Sequence, residues 1–219
     1  MRVTRFMIRD EDAPSSGPQP ATGRYEFRTW PRETPQAAAI LQKSWPLVGG
    51  ERRSDIYLLT ERSTERLVKL RAGNRLEVKR RGRDLGPLQY WTHQSFPLFP
   101  LPRPAMMGLS DVLGLPLLDR EAGMSPGHLV ARLGELAPAV LPVTVRKSRL
   151  LFRKASTRVE ICHVAVAGWT RLTLALEDPD PESARAALEG LGLDHSPNRS
   201  YGDMLGRRRL PAMSGTPVS

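Results

Sequence analysis

The sequence carries a single cysteine, Cys162, among 219 residues. One thiol excludes an intrachain disulfide and any metal site built from several thiolates, and it fits a reducing compartment. Long apolar runs are missing as well. No stretch of about 18 apolar residues occurs, and the opening MRVTRFMIRDEDAPSS holds no apolar segment of signal-peptide length. The expectation is a soluble, cytoplasmic protein with no membrane partner. Signatures of familiar chemistries are absent too: HExxH, GxSxG and GxxxxGK[ST] do not occur. His93, His128, His163 and His195 form no i,i+4 pair, which argues against a histidine zinc site.

Lysine is scarce, with five against twenty-eight arginines. The net charge of +10 points to anionic partners: phosphates, nucleic acid or an anionic surface. Genome composition alone also produces an arginine bias, so the placement of the charges has to decide. Hydrophobic residues make up 40%, enough for a packed core.

Residues 10–22 are acidic and then rich in Pro, Ser and Gly, so residues 1–22 read as a flexible arm, and residues 206–219 as a flexible tail. Residues 23–205 read as one domain. Period-two alternation marks strands at Arg24–Trp30, Asp55–Thr60, Leu67–Arg71, Leu76–Arg81, Val143–Arg153, Arg158–Val166 and Arg171–Glu177. Helices open at Thr34-Pro35, Ser125-Pro126 and Asp180-Pro181, each a capping residue followed by proline. Phe96–Pro104 reads as an irregular connection. The aromatics of Leu88–Pro100 read as a plug or cap, with base stacking the lesser alternative.

The chemistry lies in how the strands divide their faces. Arg24, Glu26 and Arg28 oppose Tyr25 and Phe27; Lys69 and Arg71 oppose Val68 and Leu70. Glu77, Lys79 and Arg81 oppose Leu76 and Val78; Arg171, Thr173 and Glu177 oppose Leu172, Leu174 and Leu176. A half-solvated sheet produces this pattern, and so does a closed barrel with a charged interior and helices outside. Glutamate recurring two residues from Arg or Lys, in Glu26/Arg28 and Glu77/Lys79, favours the barrel. The fold expected is mainly β: a closed antiparallel β-barrel, or tunnel, with peripheral helices.

The order of these segments resembles the CYTH superfamily of triphosphate tunnel metalloenzymes. That family opens on Glu-x-Glu-x-Lys, similar to Arg24-Tyr25-Glu26-Phe27-Arg28. Asp55-Ile56-Tyr57-Leu58-Leu59 resembles its Asp-x-Tyr-x-Asp, and Val68–Arg71 and Leu76–Lys79 its paired basic strands. Lys147-Ser148-Arg149 matches Lys-x-Arg, while Glu160 and Glu177 match its late acidic strands. The helix Ala184–Leu191 and Ser200-Tyr201-Gly202-Asp203-Met204-Leu205 resemble its ending. The resemblance implies a phosphate grip of Arg28, Lys69, Arg71, Lys79, Lys147 and Arg149. It also implies metal ligands for Mg²⁺ or Mn²⁺ among Glu26, Glu77, Glu160 and Glu177.

This sequence departs from the family at two carboxylates, where Arg24 and Ala175 stand instead. A cation about 4 Å from a divalent metal opposes it by several kcal/mol at an effective dielectric constant near 20. The anion grip is therefore more complete than the metal site. The expected ligand is a polyphosphate-bearing anion such as tripolyphosphate, a nucleoside triphosphate or thiamine triphosphate. Binding alone and metal-dependent hydrolysis both stand as readings. The alternatives are a basic RNA or polyanion binder that uses its outer surface and a catalytically dead scaffold. Arg207-Arg208-Arg209 reads as a solvated run.

Overall fold

Alternation produces the strands, and in those at Thr22–Thr29, Arg66–Arg71, Arg75–Arg81 and Trp169–Asp178 it leaves one apolar and one charged side. The computed structural model describes residues 22–116, 118, 123–136 and 140–206. The strands are β1 (Thr22–Thr29), β2 (Leu47–Leu59), β3 (Arg66–Arg71), β4 (Arg75–Arg81), β5 (Gln89–Ser95), β6 (Leu141–Lys154), β7 (Thr157–Val166) and β8 (Trp169–Asp178). All pairings are antiparallel, and the strands close into a barrel in the order β1-β5-β4-β3-β2-β6-β7-β8. Closure removes the exposed sheet edges that an open sheet would leave.

The helices are α1 (Gln36–Ser44), α2 (Arg103–Leu113), α3 (Pro126–Glu135), α4 (Pro181–Gly190) and α5 (Tyr201–Gly206). The apolar faces of β1, β7 and β8 point outward, where Phe27, Ile161, Leu174 and Leu176 pack on Leu41 of α1 and Leu188 of α4. Val68, Leu70, Leu76 and Val78 meet Met106, Leu109 and Val112 of α2 and Leu129 of α3 in the same way. A third cluster lies within the barrel, where Leu59, Trp91, Val145, Cys162 and Val164 gather with Tyr201 and Leu205 of α5. Among the described residues no helix is long and apolar enough to cross a membrane.

Several expectations are corrected. Gln89–Ser95 is a full strand, because Gln89, Trp91 and His93 alternate inward against β1 and β4. Only Trp91 of that aromatic group enters the interior cluster; Phe96 and Phe99 pack outside against α2. The irregular Phe96–Pro104 segment gives way to α2 at Arg103. Strand β2 starts eight residues before Asp55, since β6 pairs along its whole length. Pro35, not Thr34, caps α1, and it forms no side-chain cap. Ser125 and Asp180 cap α3 and α4 as expected, accepting from the backbone N–H of His128 and Ser183. Residues 1–21 and the arginine run at 207–209 lie outside the described residues.

Candidate anion tunnel

Period two puts Glu51, Arg53, Asp55 and Tyr57 of β2 on the inner face, and register sets their neighbours. Arg149 lies opposite Glu51, Lys147 opposite Arg53, and Lys69 opposite Tyr57. A continuous line of ion pairs results. Arg28 Nη2 reaches Glu160 Oε1 at 2.8 Å, and Arg149 binds both Glu160 and Glu51. Arg53 bridges Glu51 at 2.7 Å and Asp55 at 3.2 Å. At its inner end Lys147 Nζ donates to Asp55 Oδ2 at 2.6 Å and to Tyr57 Oη at 2.8 Å.

Ala175 explains part of this arrangement. It is the register partner of Arg28 on one side and of Glu160 on the other. A methyl group at that position lets the guanidinium cross the strand between them. The alanine and the ion pair are therefore linked.

On the opposite wall a single carboxylate, Glu77, serves several cations. Lys69 lies 3.0 Å from it, Arg71 3.2 Å, Arg75 3.8 Å and His93 3.5 Å. Glu26 and Glu177 face each other across β1 and β8. Like charges in that position repel, and here Lys79 bonds Glu26 while Arg158 lies 3.4 Å from Glu177. Arg24 faces inward opposite Trp91 and makes no ion pair among the described residues.

The electrostatics follow from burial and crowding. Burial disfavours the charge on Glu160, but Arg28, Arg149 and Lys147 outweigh it and hold the carboxyl below its usual range. Glu77 is held low in the same way by His93, Lys69 and Arg71. Burial lowers Lys69, and the pull of Glu77 does not restore it. For Lys147, burial and then repulsion from Lys69 override Asp55 and push the ammonium down to about 7. A low-dielectric chamber crowded with like charge favours an added anion.

All six expected phosphate ligands line this interior. The four expected metal ligands also face inward but stand apart, each already paired with a cation. Among the described residues no three His, Cys, Asp or Glu side chains converge on one point. Glu26 and Glu177 are closest in register, and Lys79 is already drawn to both. Glu26 and Glu177 are the two carboxylates that could hold Mg²⁺ together with a substrate's own oxygens; a cage made of protein ligands alone is absent among the described residues.

Arg81 turns to Asp84, and Arg171 is exposed with its guanidinium on the Thr170 carbonyl. Glu51, Arg53 and His93 were not anticipated. Alternation through Glu51, Arg53 and Asp55 signals the first two, but the preceding Gly-Gly obscures the strand. Cys162 is buried inward and His163 exposed outward, as alternation requires.

One end of the chamber is closed. The segment before α5 docks on β1: Arg28 N donates to Asn198 Oδ1 and Arg199 N to the Arg28 carbonyl. Trp30 Nε1 donates to the Arg199 carbonyl at 2.8 Å. Tyr201 then stacks on Tyr57, with ring centroids 5.0 Å apart, and meets Trp30 edge-on at 5.1 Å.

No family model matches the chain, and no curated protein matches it in sequence. Solved structures match it in fold. A candidate adenylate cyclase from Bacillus halodurans aligns at 12% identity over 84% of this chain and 96% of its own, with a TM-score of 0.51. The two share the closed-barrel fold. A candidate adenylyl cyclase from Hippeastrum with a dominant triphosphatase activity aligns at 14% identity over 86% of this chain and 97% of its own, with a TM-score of 0.49. The Pct1 RNA triphosphatase of S. pombe aligns at 11% over 81% of each chain, with a TM-score of 0.34. In this barrel the inner wall is dominated by cations.

Proposed function

We propose that the tunnel binds a short polyphosphate-bearing anion: tripolyphosphate, a nucleoside triphosphate or thiamine triphosphate. The observation that carries this reading is the sharing of one carboxylate, Glu77, by Lys69, Arg71 and Arg75 inside a closed barrel. An entering phosphate chain supplies the missing counter-charge through charge-assisted hydrogen bonds, bidentate from arginine. An adenylate cyclase, the candidate activity of the Bacillus halodurans neighbour, takes a ligand of this same class.

Calorimetric titration with tripolyphosphate at pH 7 tests the reading. Wild type binds, and Arg71→Gln and Lys79→Gln each weaken binding about tenfold, as loss of a charged hydrogen bond predicts. A folded protein that takes up no tripolyphosphate, or variants that bind as wild type does, would sink it. Phosphate release measured with Mg²⁺ or Mn²⁺ and with chelator then separates hydrolysis from binding alone. Duplex RNA binding that these variants leave untouched would favour the outer surface.

A further inference from the structure

We infer that the outer wall of the barrel beside α1 is a docking surface for a short acidic peptide segment with aliphatic side chains, supplied by a partner protein. The surface lies outside the tunnel and does not depend on the polyphosphate reading.

Helices cover most of the outward apolar faces, but one stretch stays open. Leu47 is 59% exposed, Val48 49% and Leu150 40%, three of the six exposed large apolar side chains among the described residues. All three stand at one end of the β2–β6 pair. Register places Leu47 opposite Phe152, two residues beyond Leu150 on the same face. Gly50 lies opposite Leu150 and has no side chain to shield it. From there a cleft of about 410 Å³ runs between the wall and α1. Leu150, Ile161 and Leu172 form its strand side, and Ala38 and Gln42 its helix side. Contiguous exposed aliphatic surface of this kind marks an interaction site.

The charge on this face has one sign. Arg52, Ser148, His163 and Leu172 form a single row across β2, β6, β7 and β8, and Arg146 stands one outward position from Ser148. Arg52 and Arg146 are exposed, and neither guanidinium has an ion pair or hydrogen bond among the described residues. The contrast is with Arg53, which faces inward and is held by Glu51 and Asp55. The outward positions of β2, β6 and β7 carry no carboxylate, and neither does α1.

Carboxylates beside aliphatic side chains complement such a face. A second copy would bring two positive faces together. Nucleic acid gains little here, because aliphatic side chains neither stack on bases nor bond phosphates. The row from Arg52 to Leu172 crosses three strand spacings, about 14 Å, the length of about four extended residues. That suits a peptide better than a single small anion.

Fluorescence anisotropy on the intact protein tests this, with a short labelled peptide alternating glutamate and leucine and another alternating lysine and leucine. Wild type is expected to bind the acidic peptide and not the basic one. Arg52→Glu combined with Arg146→Glu should weaken binding about tenfold or more. Arg62→Glu combined with Arg83→Glu removes the same charge from exposed sites elsewhere and should change binding less than about twofold. Leu150→Ser alters no charge and should weaken binding about fivefold. These side chains are exposed, so every variant should keep the wild-type thermal midpoint and the wild-type response to tripolyphosphate. Equal losses from the two arginine pairs overturn the inference, since binding would then follow net charge alone. Unchanged binding by Leu150→Ser overturns it as well. So does a wild-type dimer that Arg52→Glu with Arg146→Glu breaks, or binding to phosphatidylserine vesicles with none to the acidic peptide.

Discussion

Lys147 sits where the opposing forces in the tunnel meet. Asp55 and Tyr57 accept from its ammonium, while burial and Lys69 push its pKa down to about 7. In the unfolded chain the same lysine stays protonated to about 10.4. Between those values the unfolded state binds the additional proton, so Lys147 makes stability rise with pH across that window. Below it the buried charge carries its full cost. Thermal midpoints of wild type should therefore rise from pH 7 toward pH 9 relative to Lys147→Met, in which this contribution is gone. A bound anion favours the charged form, so binding near pH 7.5 should draw in a proton. Titrations in buffers of different ionisation enthalpy report that uptake, and Lys147→Met should abolish it. The inward placement of Lys147 and Arg149 was legible in the alternation of their strand. The pairing of Lys147 with Asp55, 92 residues away, was not, because only strand register brings the two together.

Helix α5 is a short element with a tight seat. A Cβ on Gly202 would stand 1.9 Å from the Ser63 carbonyl oxygen, and backbone cannot yield as a side chain tip does. Ser200 and Asp203 bond reciprocally to start the helix, with Ser200 N donating to Asp203 Oδ2 at 2.7 Å. Gly202→Ala should cost about 1–3 kcal/mol as an overpacked contact. It should also alter the fluorescence of Trp30, whose ring meets Tyr201. Unchanged thermal midpoint and emission would show that α5 has room to shift. The strands with clean alternation were legible to within a few residues, as were the capped helices α3 and α4. Strand β5 was hidden because Tyr90, Trp91 and Phe96 form an aromatic crowd that masks its period. Helix α2 was hidden by the prolines at its start, although proline suits the first turn of a helix.

Across the whole molecule, stability and binding draw on the same charges. Glu160 links Arg28 to Arg149, and its side chain is only 10% exposed. Removing one partner of a buried pair leaves the other charge uncompensated, at a cost of about 3–5 kcal/mol. Glu160→Gln should therefore lower the denaturant midpoint markedly. Saturating tripolyphosphate should recover more stability in this variant than in wild type, since the ligand replaces the lost counter-charge. Equal ligand stabilisation of both proteins would place the anion away from Arg28 and Arg149.

The sequence alone determined the two-sided strands, their order, the principal cations and the resemblance to the CYTH superfamily. These are local properties: alternation follows from the pleat, and capping from the few residues around a helix start. Only the tertiary structure decided that the sheet closes and that the charged faces turn inward. It also decided that Ala175 makes room for the Arg28–Glu160 pair and that Tyr201 seals one end with its hydroxyl unpaired. An open sheet and a closed barrel share the same period of two. What distinguishes them is long-range register, which joins residues such as Arg28 of β1 and Ala175 of β8, and which no local pattern encodes.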